Sequence, residues 1–345
     1  MKIFQNGAKK NLLNEKNIRA ALMSFVGLMA VFIVITISGN NSANVRAQTS
    51  QKAISGEWTA KLYPNKKDEI HFTFQRRSEK GGFNMTGDNL PLSQLQGLPA
   101  EALTSQRMDV SFNIVREAGT FICEGFFSEG KGTGFWTLKP SEKFISQMRA
   151  RGYDNLTEEN LLSAALHDLT EKYIDDLKAA GYDKLTFEQV RRAKTHDVTP
   201  QYVRELKSAG FENLAMEQLI RARNHDIDAD YVNQAKAMGF ERQPLETLIR
   251  MRNHDVTAEF VEQMKAVGFE NLSIEQLIRL KNHDITSAFI RELNEEGYSN
   301  VSAESAIRLK NHDVDREFIR RAKSQGYNNV SLEELIKLRS RGVVK

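Results

Sequence analysis

The chain has 345 residues, 27% of them charged and 40% hydrophobic, with one cysteine and a formal charge of +3. That is enough apolar material for packed cores, and a single thiol excludes an internal disulfide framework. The charge is uneven: residues 1–50 carry six Lys or Arg against one Glu, residues 51–140 eleven against ten, and residues 141–345 thirty-one against thirty-four. The basic excess belongs to the leader, and the remainder lacks the concentrated positive surface that nucleic acid would need.

Residues 1–19 read as a basic segment containing Lys2, Lys9, Lys10, Lys16 and Arg19. Residues 20–38 are uncharged and mostly apolar, with only Ser24 polar before Thr36. As a helix this run spans about 28 Å, against roughly 30 Å of hydrocarbon. Positive charge ahead of it places the N-terminus in the cytoplasm and the bulk of the chain outside. Val45-Arg46-Ala47 also offers a small-residue cleavage pattern, so a retained anchor and a form cleaved near Ala47 are both open. Residues 39–53 form a linker.

Residues 54–139 read as a small antiparallel β domain. Glu57 to Tyr63, Glu69 to Arg76, Met108 to Arg116, Thr120 to Phe127 and Thr133 to Leu138 are rich in aromatic and β-branched residues and are separated by Gly, Asn, Lys and Asp clusters. The two Gly-rich junctions near the end give a meander of three strands. Leu90 to Leu98 reads as a loop with a helical turn, and Gly130 to Gly134 as a hairpin. Trp58, Phe72, Phe74, Phe112, Phe121 and Trp136 form the expected core, with Cys123 a small apolar residue among the strands and His71 on the outer, solvated face. A filled core is the default for a sheet this small, although a hydrophobic ligand cavity is the alternative.

Residues 140–345 are built on a 29-residue repeat. His-Asp begins at His167, His196, His225, His254, His283 and His312, and Gly followed by Tyr or Phe recurs at 152, 181, 210, 239, 268, 297 and 326. A fixed period of this size means stacked supersecondary units. One column, Ser141, Thr170, Thr199, Asp228, Thr257, Thr286 and Asp315, consists entirely of good N-cap residues and opens a helix, B, with an apolar stripe. Gly with an apolar residue behind it closes helix B as a Schellman motif. Helix A then starts at Thr157, Thr186, Ala215, Pro244, Ser273, Ser302 or Ser331. Glu lies two residues inside each helix A and, in six of the seven copies, Arg or Lys four residues later, which suits an i to i+4 pair and the helix dipole. Helices of about ten residues do not persist alone, so stacking must hold them. The fold class is therefore α+β as separate domains: an antiparallel β domain followed by an all-α solenoid of seven helix-pair repeats.

The His-Asp ladder is His167, Asp168, His196, Asp197, His225, Asp226, His254, Asp255, His283, Asp284, His312 and Asp313. Equivalent His residues in layers packed about 8–10 Å apart are too distant to share a zinc ion, whose ligands each lie about 2 Å away. The expected role is structural, with His at the helix end and Asp bonding the turn; a pH-responsive row is the alternative. In the last unit Arg341-Gly342 replaces His-Asp, and Lys337, Arg339 and Arg341 are the candidate partner contacts on its C-terminal face. There is no His-Glu-x-x-His, Gly-x-Ser-x-Gly, phosphate-binding Gly loop or Cys-x-x-Cys, so no enzymatic activity, metal or cofactor is expected.

REAGTFICEGFFSEGKGTGFWTLKP (Arg116 to Pro140) and GFENLSIEQLIRLKNHDIT (Gly268 to Thr286) resemble the segment that follows the membrane metallopeptidase domain in some bacterial beta-lactam-sensor-like proteins. The likeness covers about residues 54–345, and the peptidase zinc motif is missing, so protease activity is not carried over. The resemblance implies an extracytoplasmic module of a bacterial envelope: a single-pass inner-membrane protein with a periplasmic bulk, or a secreted one if cleaved. The expected function is non-enzymatic binding of another envelope protein through the repeats. The alternative is a sensor, with a small ligand in the β domain or pH acting on the His ladder.

Overall fold

The computed structural model describes residues 54–344 apart from 64, 67 and 78–82. The basic segment 1–19, the apolar run 20–38 and the linker 39–53 lie outside the described residues. Strands β1 (Ser55–Leu62), β2 (Glu69–Arg77), β3 (Phe83–Pro91), β4 (Leu95–Gln96), β5 (Met108–Arg116), β6 (Gly119–Ser128) and β7 (Lys131–Pro140) form one antiparallel sheet in the order β3-β2-β1-β7-β6-β5-β4. Five of these strands and the β5-β6-β7 meander follow the sequence expectation. β3 and β4 correct it: Leu90 and Pro91 close a strand, and the helical turn is confined to Leu92–Gln94. β3 is an edge strand made largely of Asn, Thr, Gly and Asp. It pairs with β2 along its whole length through the backbone, with His71 Nδ1 and Asn89 Oδ1 3.3 Å apart beside it, a pairing that side-chain patterning does not reveal.

β1 pairs with β7, so the first hairpin joins the terminal meander, with Trp58 opposite Gly134. The sheet then curls until residues from non-adjacent strands touch. Trp58 of β1 meets Phe112 of β5 edge-on at 5.3 Å, and Phe72 of β2 lies 6.1 Å from the same ring. All six expected core aromatics are buried, as is Cys123, and the interior is filled by rings. The two buried indoles donate to backbone carbonyls, Trp58 Nε1 to Glu124 O at 3.2 Å and Trp136 Nε1 to Glu57 O at 2.9 Å, which satisfies their only polar atom.

The hairpin expected over Gly130 to Gly134 is tighter. The turn is Glu129-Gly130, both with positive φ, and Gly132 and Gly134 sit inside β7. There they are required by close approach. A Cβ on Gly132 would lie 2.7 Å from the Phe127 and Trp58 rings, and one on Gly134 would run into the carbonyl oxygen of Glu124.

Seven helix pairs follow: α1 (Glu142–Ala150) with α2 (Glu158–Leu166), α3 (Glu171–Ala179) with α4 (Phe187–Thr195), α5 (Pro200–Ser208) with α6 (Met216–Asn224), α7 (Ala229–Ala237) with α8 (Leu245–Asn253), α9 (Ala258–Lys265) with α10 (Ile274–Asn282), α11 (Ser287–Glu295) with α12 (Ala303–Asn311), and α13 (Arg316–Ser324) with α14 (Leu332–Ser340). Odd-numbered helices are helix B and even-numbered ones helix A. Each B helix is capped as its column dictates, the N-cap oxygen accepting from the backbone N–H of the aromatic residue three positions on, for example Tyr231 N to Asp228 Oδ1 at 2.8 Å. Helix A carries full capping boxes at Thr157, Thr186 and Ser273. At Ala215 only half a box survives, the Ala215 N–H donating to Gln218 Oε1 at 2.8 Å. Like packs on like between repeats, A on A and B on B.

The first pair is seated on the sheet. Phe144 and Met148 of α1 are fully buried, and the Ser141 N–H donates to Ala118 O at 3.0 Å. Replacing Gly134 with Ala should cost about 1–3 kcal/mol by overpacking, more if the β1–β7 pairing parts. Urea unfolding of the variant beside Gly97→Ala, whose Cβ would meet nothing closer than 3.7 Å but at φ +92, separates the packing cost from backbone strain.

Candidate functional site

The His-Asp column closes helix A. Each His is the C-cap residue, and each following Asp has a left-handed φ of 49–52°. In the second repeat Val198 N donates to Ala193 O at 2.9 Å and Asp197 N to Lys194 O at 3.2 Å, the two bonds of a Schellman motif with Asp in the place usually held by Gly. Asp is among the few non-Gly residues that enter this region readily. Asp bonds the turn through its backbone N–H, and the left-handed backbone conformation is what the position requires. Gly342 takes the same conformation in the last unit, at φ 62°, which accounts for the loss of Asp there.

The His side chains reach across repeats. Nδ1 of His196, His225, His254 and His283 lies 2.7–2.9 Å from Oδ1 of Asn224, Asn253, Asn282 and Asn311, the residue ending the next helix A. Such a contact places the proton on Nδ1, which donates to the amide oxygen. At the last step His312 Nδ1 stands 3.5 Å from Ser340 Oγ. His167 faces Thr195 in this register; burial, then Arg191 and Lys194, push its imidazole below the usual histidine range. Among the described residues no three His, Cys, Asp or Glu side chains converge as a metal site.

A second ladder corrects the i to i+4 pairing. Each helix-A Arg pairs with the Glu in the first turn of the next helix A: Arg192–Glu217, Arg221–Glu246 and Arg279–Glu304 at 2.7 Å, Arg250–Glu275 at 2.6 Å, and Arg308–Glu333. The members are roughly half exposed, so solvent screens each rung and leaves it individually weak. The other basic column is occupied internally. Lys194, Arg223, Arg252, Lys281, Lys310 and Arg339 lie 4.9–5.3 Å above Tyr173, Tyr202, Tyr231, Phe260, Phe289 and Phe318 of the helix B before them. Of the candidate contacts on the last unit, Arg339 is thus engaged with Phe318. Lys337 is exposed in the ladder column beside Glu333, and Arg341 caps α14 in solvent. Val343 beside them is 43% exposed where its six counterparts are at most 1%.

The β domain completes the ladder at its start, a role the sequence does not signal. Arg76 of β2 pairs with Glu159 at 2.5 Å, and Glu117 Oε2 accepts the N–H of Glu171 at 2.7 Å. Between β2, β3, α2 and α4 lies a groove of about 640 Å³, edged by Arg76, Met85, Glu159, Glu188 and Arg191, whose charges are paired with one another. Cys123 is no nucleophile, since burial pushes its thiol well up.

Two units depart from the pattern. In the sixth, Glu296 stands where other repeats have Ala, Met, Val, Gln or Arg, and it gathers Arg316 at 3.3 Å, Arg320 at 2.7 Å and Lys323 at 2.9 Å. Its side chain is only 9% exposed beneath those cations, whose hydrogen bonds, Lys323 first and Arg320 second, hold the carboxyl at about 2. In the fourth, Arg242, Gln243 and Pro244 replace the usual Asn or Lys, Leu or Val, and Thr or Ser. A groove of about 680 Å³ lies at that point, walled by Phe211, Val232, Phe240 and Leu248, with Lys236 and Arg242 at its rim.

Because the Glu296 carboxyl is depressed in the folded state, its contribution is complete above the ordinary value of 4.5 and is lost as pH falls toward 2. Glu296→Gln should lower Tm at pH 7, and in paired thermal melts the gap from the unaltered protein should narrow below pH 4.5 and close only as pH approaches 2. No protein-family model, curated protein or solved structure matches this chain.

Proposed function

We propose that this protein is a non-enzymatic binding module of a bacterial envelope, tethered through residues 20–38 or exported, and that its helical repeats hold another envelope protein. The observation that carries this reading is the break in the fourth repeat. Leu156, Leu185, Leu214, Leu272 and Val330, all partly buried, and the buried Val301 fill one column, and Gln243 interrupts it. The groove beside Gln243 has apolar walls, and its charged lining is mixed: Arg242, Glu241 and Lys236, the last donating to Ala209 O at 2.8 Å. It suits a protruding apolar side chain of a partner protein, with Arg242 and Glu241 at the rim for its polar neighbours. The small-ligand form of the sensor alternative gains less support, because the sheet interior is occupied by aromatic rings. No helix among the described residues is long and apolar enough to cross a membrane, so the tether rests on the sequence of residues 20–38.

The test is to fill the groove. Gln243→Leu restores the column and should leave Tm unchanged or raise it. A photo-crosslinker at Arg242 in intact envelopes should capture a partner with the unaltered chain and lose it with Gln243→Leu. An identical set of crosslinked proteins in both would remove the groove from the reading, and the absence of any crosslinked protein would count against the binding function itself.

A further inference from the structure

The outer face of the curled sheet carries apolar residues that the fold does not use. Phe135 on β7 and Val115 on β5 are 48% exposed, and Ile122 on β6 is 38% exposed. Register places them in one line. Ile122 is opposite Thr137 and Glu124 opposite Phe135, which makes Ile122 and Phe135 diagonal neighbours, and Val115, opposite Thr120, is diagonal to Ile122. Phe126 extends the line under the Arg107 guanidinium, 4.0 Å from its ring. The interior is complete without these side chains, so folding supplies no reason for them.

The rest of the face frames the stripe. Lys131 and Lys139 stand exposed on β7 at either side of Phe135, Lys61 is opposite Lys131 on β1, and Glu57 and Glu124 flank Phe135 on the neighbouring strands. Exposed aromatic and aliphatic groups with Lys131 and Lys139 beyond them at the two ends of β7 suit the boundary between lipid headgroups and acyl chains, where lysines reach phosphates and Glu57 and Glu124 can meet the ammonium of phosphatidylethanolamine.

The chain's own course supplies the partner. Ser55 begins β1 opposite Thr137, so the linker enters the domain one strand away from Phe135. Fifteen residues, 39–53, separate that entry from the apolar run ending at Ser38. Fifteen residues reach at most about 50 Å, so a tethered domain stays within that distance of the bilayer.

We infer that the outer face of β5, β6 and β7 rests on the lipid surface, so that the domain is seated sheet-down with Phe135 and Ile122 at the headgroup boundary. The inference rests on the tether reading of residues 20–38. Seated in this way, the β domain is a footing and the solenoid is what remains available to partners.

The full chain is incorporated into vesicles of phosphatidylethanolamine and phosphatidylglycerol. A single environment-sensitive label is placed through Thr137→Cys or, as a solvent control, through Asp230→Cys on α7; buried Cys123 does not compete for the label. Emission at 137 should shift to the blue, and its quenching by aqueous iodide should fall several-fold relative to 230. Phe135→Glu with Ile122→Glu, both at exposed positions, should abolish that difference. Equal quenching at 137 and 230 in protein that survives an alkaline carbonate wash overturns the seating while leaving the tether standing. Equal quenching in protein that washes off overturns both. Disulfide-linked dimers of unlabelled Thr137→Cys would show that a second copy covers the face, which also overturns the inference.

Discussion

A helix of nine residues has no stable existence in water, because nucleation costs more than so few hydrogen bonds return. Each of the fourteen described helices is that length or one residue shorter, so every element of the array depends on the apolar stripe it shares with its neighbours. The stripe is continuous from Phe144 and Met148 on the sheet to Phe318, Ile319 and Leu335 in the last pair, all at 1% exposure or less. The sheet's place in this scheme follows from the same constraint. The first pair has no preceding repeat, and the β domain provides the surface on which it forms.

The polar ladders do something other than add stability. Exposed Arg–Glu rungs and His–Asn contacts are individually weak, and apolar burial is indifferent to small sliding. Bonds that recur at a fixed step along the sequence, by contrast, are made only when each layer sits in one position on the next. The cations over aromatic rings act within a repeat, holding the end of helix A against the start of helix B. Burial thus supplies cohesion, and the polar columns supply register.

Much of the fold could be read directly, because recurrence displays chemistry that a single copy conceals. Seven N-cap residues in one column, seven glycines in another, and an aromatic residue behind each glycine fix the helix boundaries by known capping geometry. The edge strand β3 could not be read, since it is built from Asn, Gly and Asp and held by backbone pairing to β2. The Arg–Glu columns fit a partner one turn away in the same helix or one layer away in the next, and sequence spacing does not decide between them. Asn224, Asn253, Asn282 and Asn311 were visible as a column, yet their bond to His depends on how one layer overlies another. Arg76 lies outside the periodic region altogether. Its pairing with Glu159 emerges only when the sheet and the first helix A are placed together.

One property of the bonds between units bears on how such a chain is inherited. Each Arg–Glu or His–Asn rung joins one column of a repeat to a second column of the next, and no repeat from the third to the sixth bonds to the sheet among the described contacts. Excision or duplication of the third, fourth or fifth repeat would bring like columns face to face and restore the Arg–Glu and His–Asn rungs, whereas loss of a single residue would put all later columns out of step. Recombination between like copies could therefore change the length of the array, and with it the distance between the two ends, without passing through an unfolded intermediate sequence.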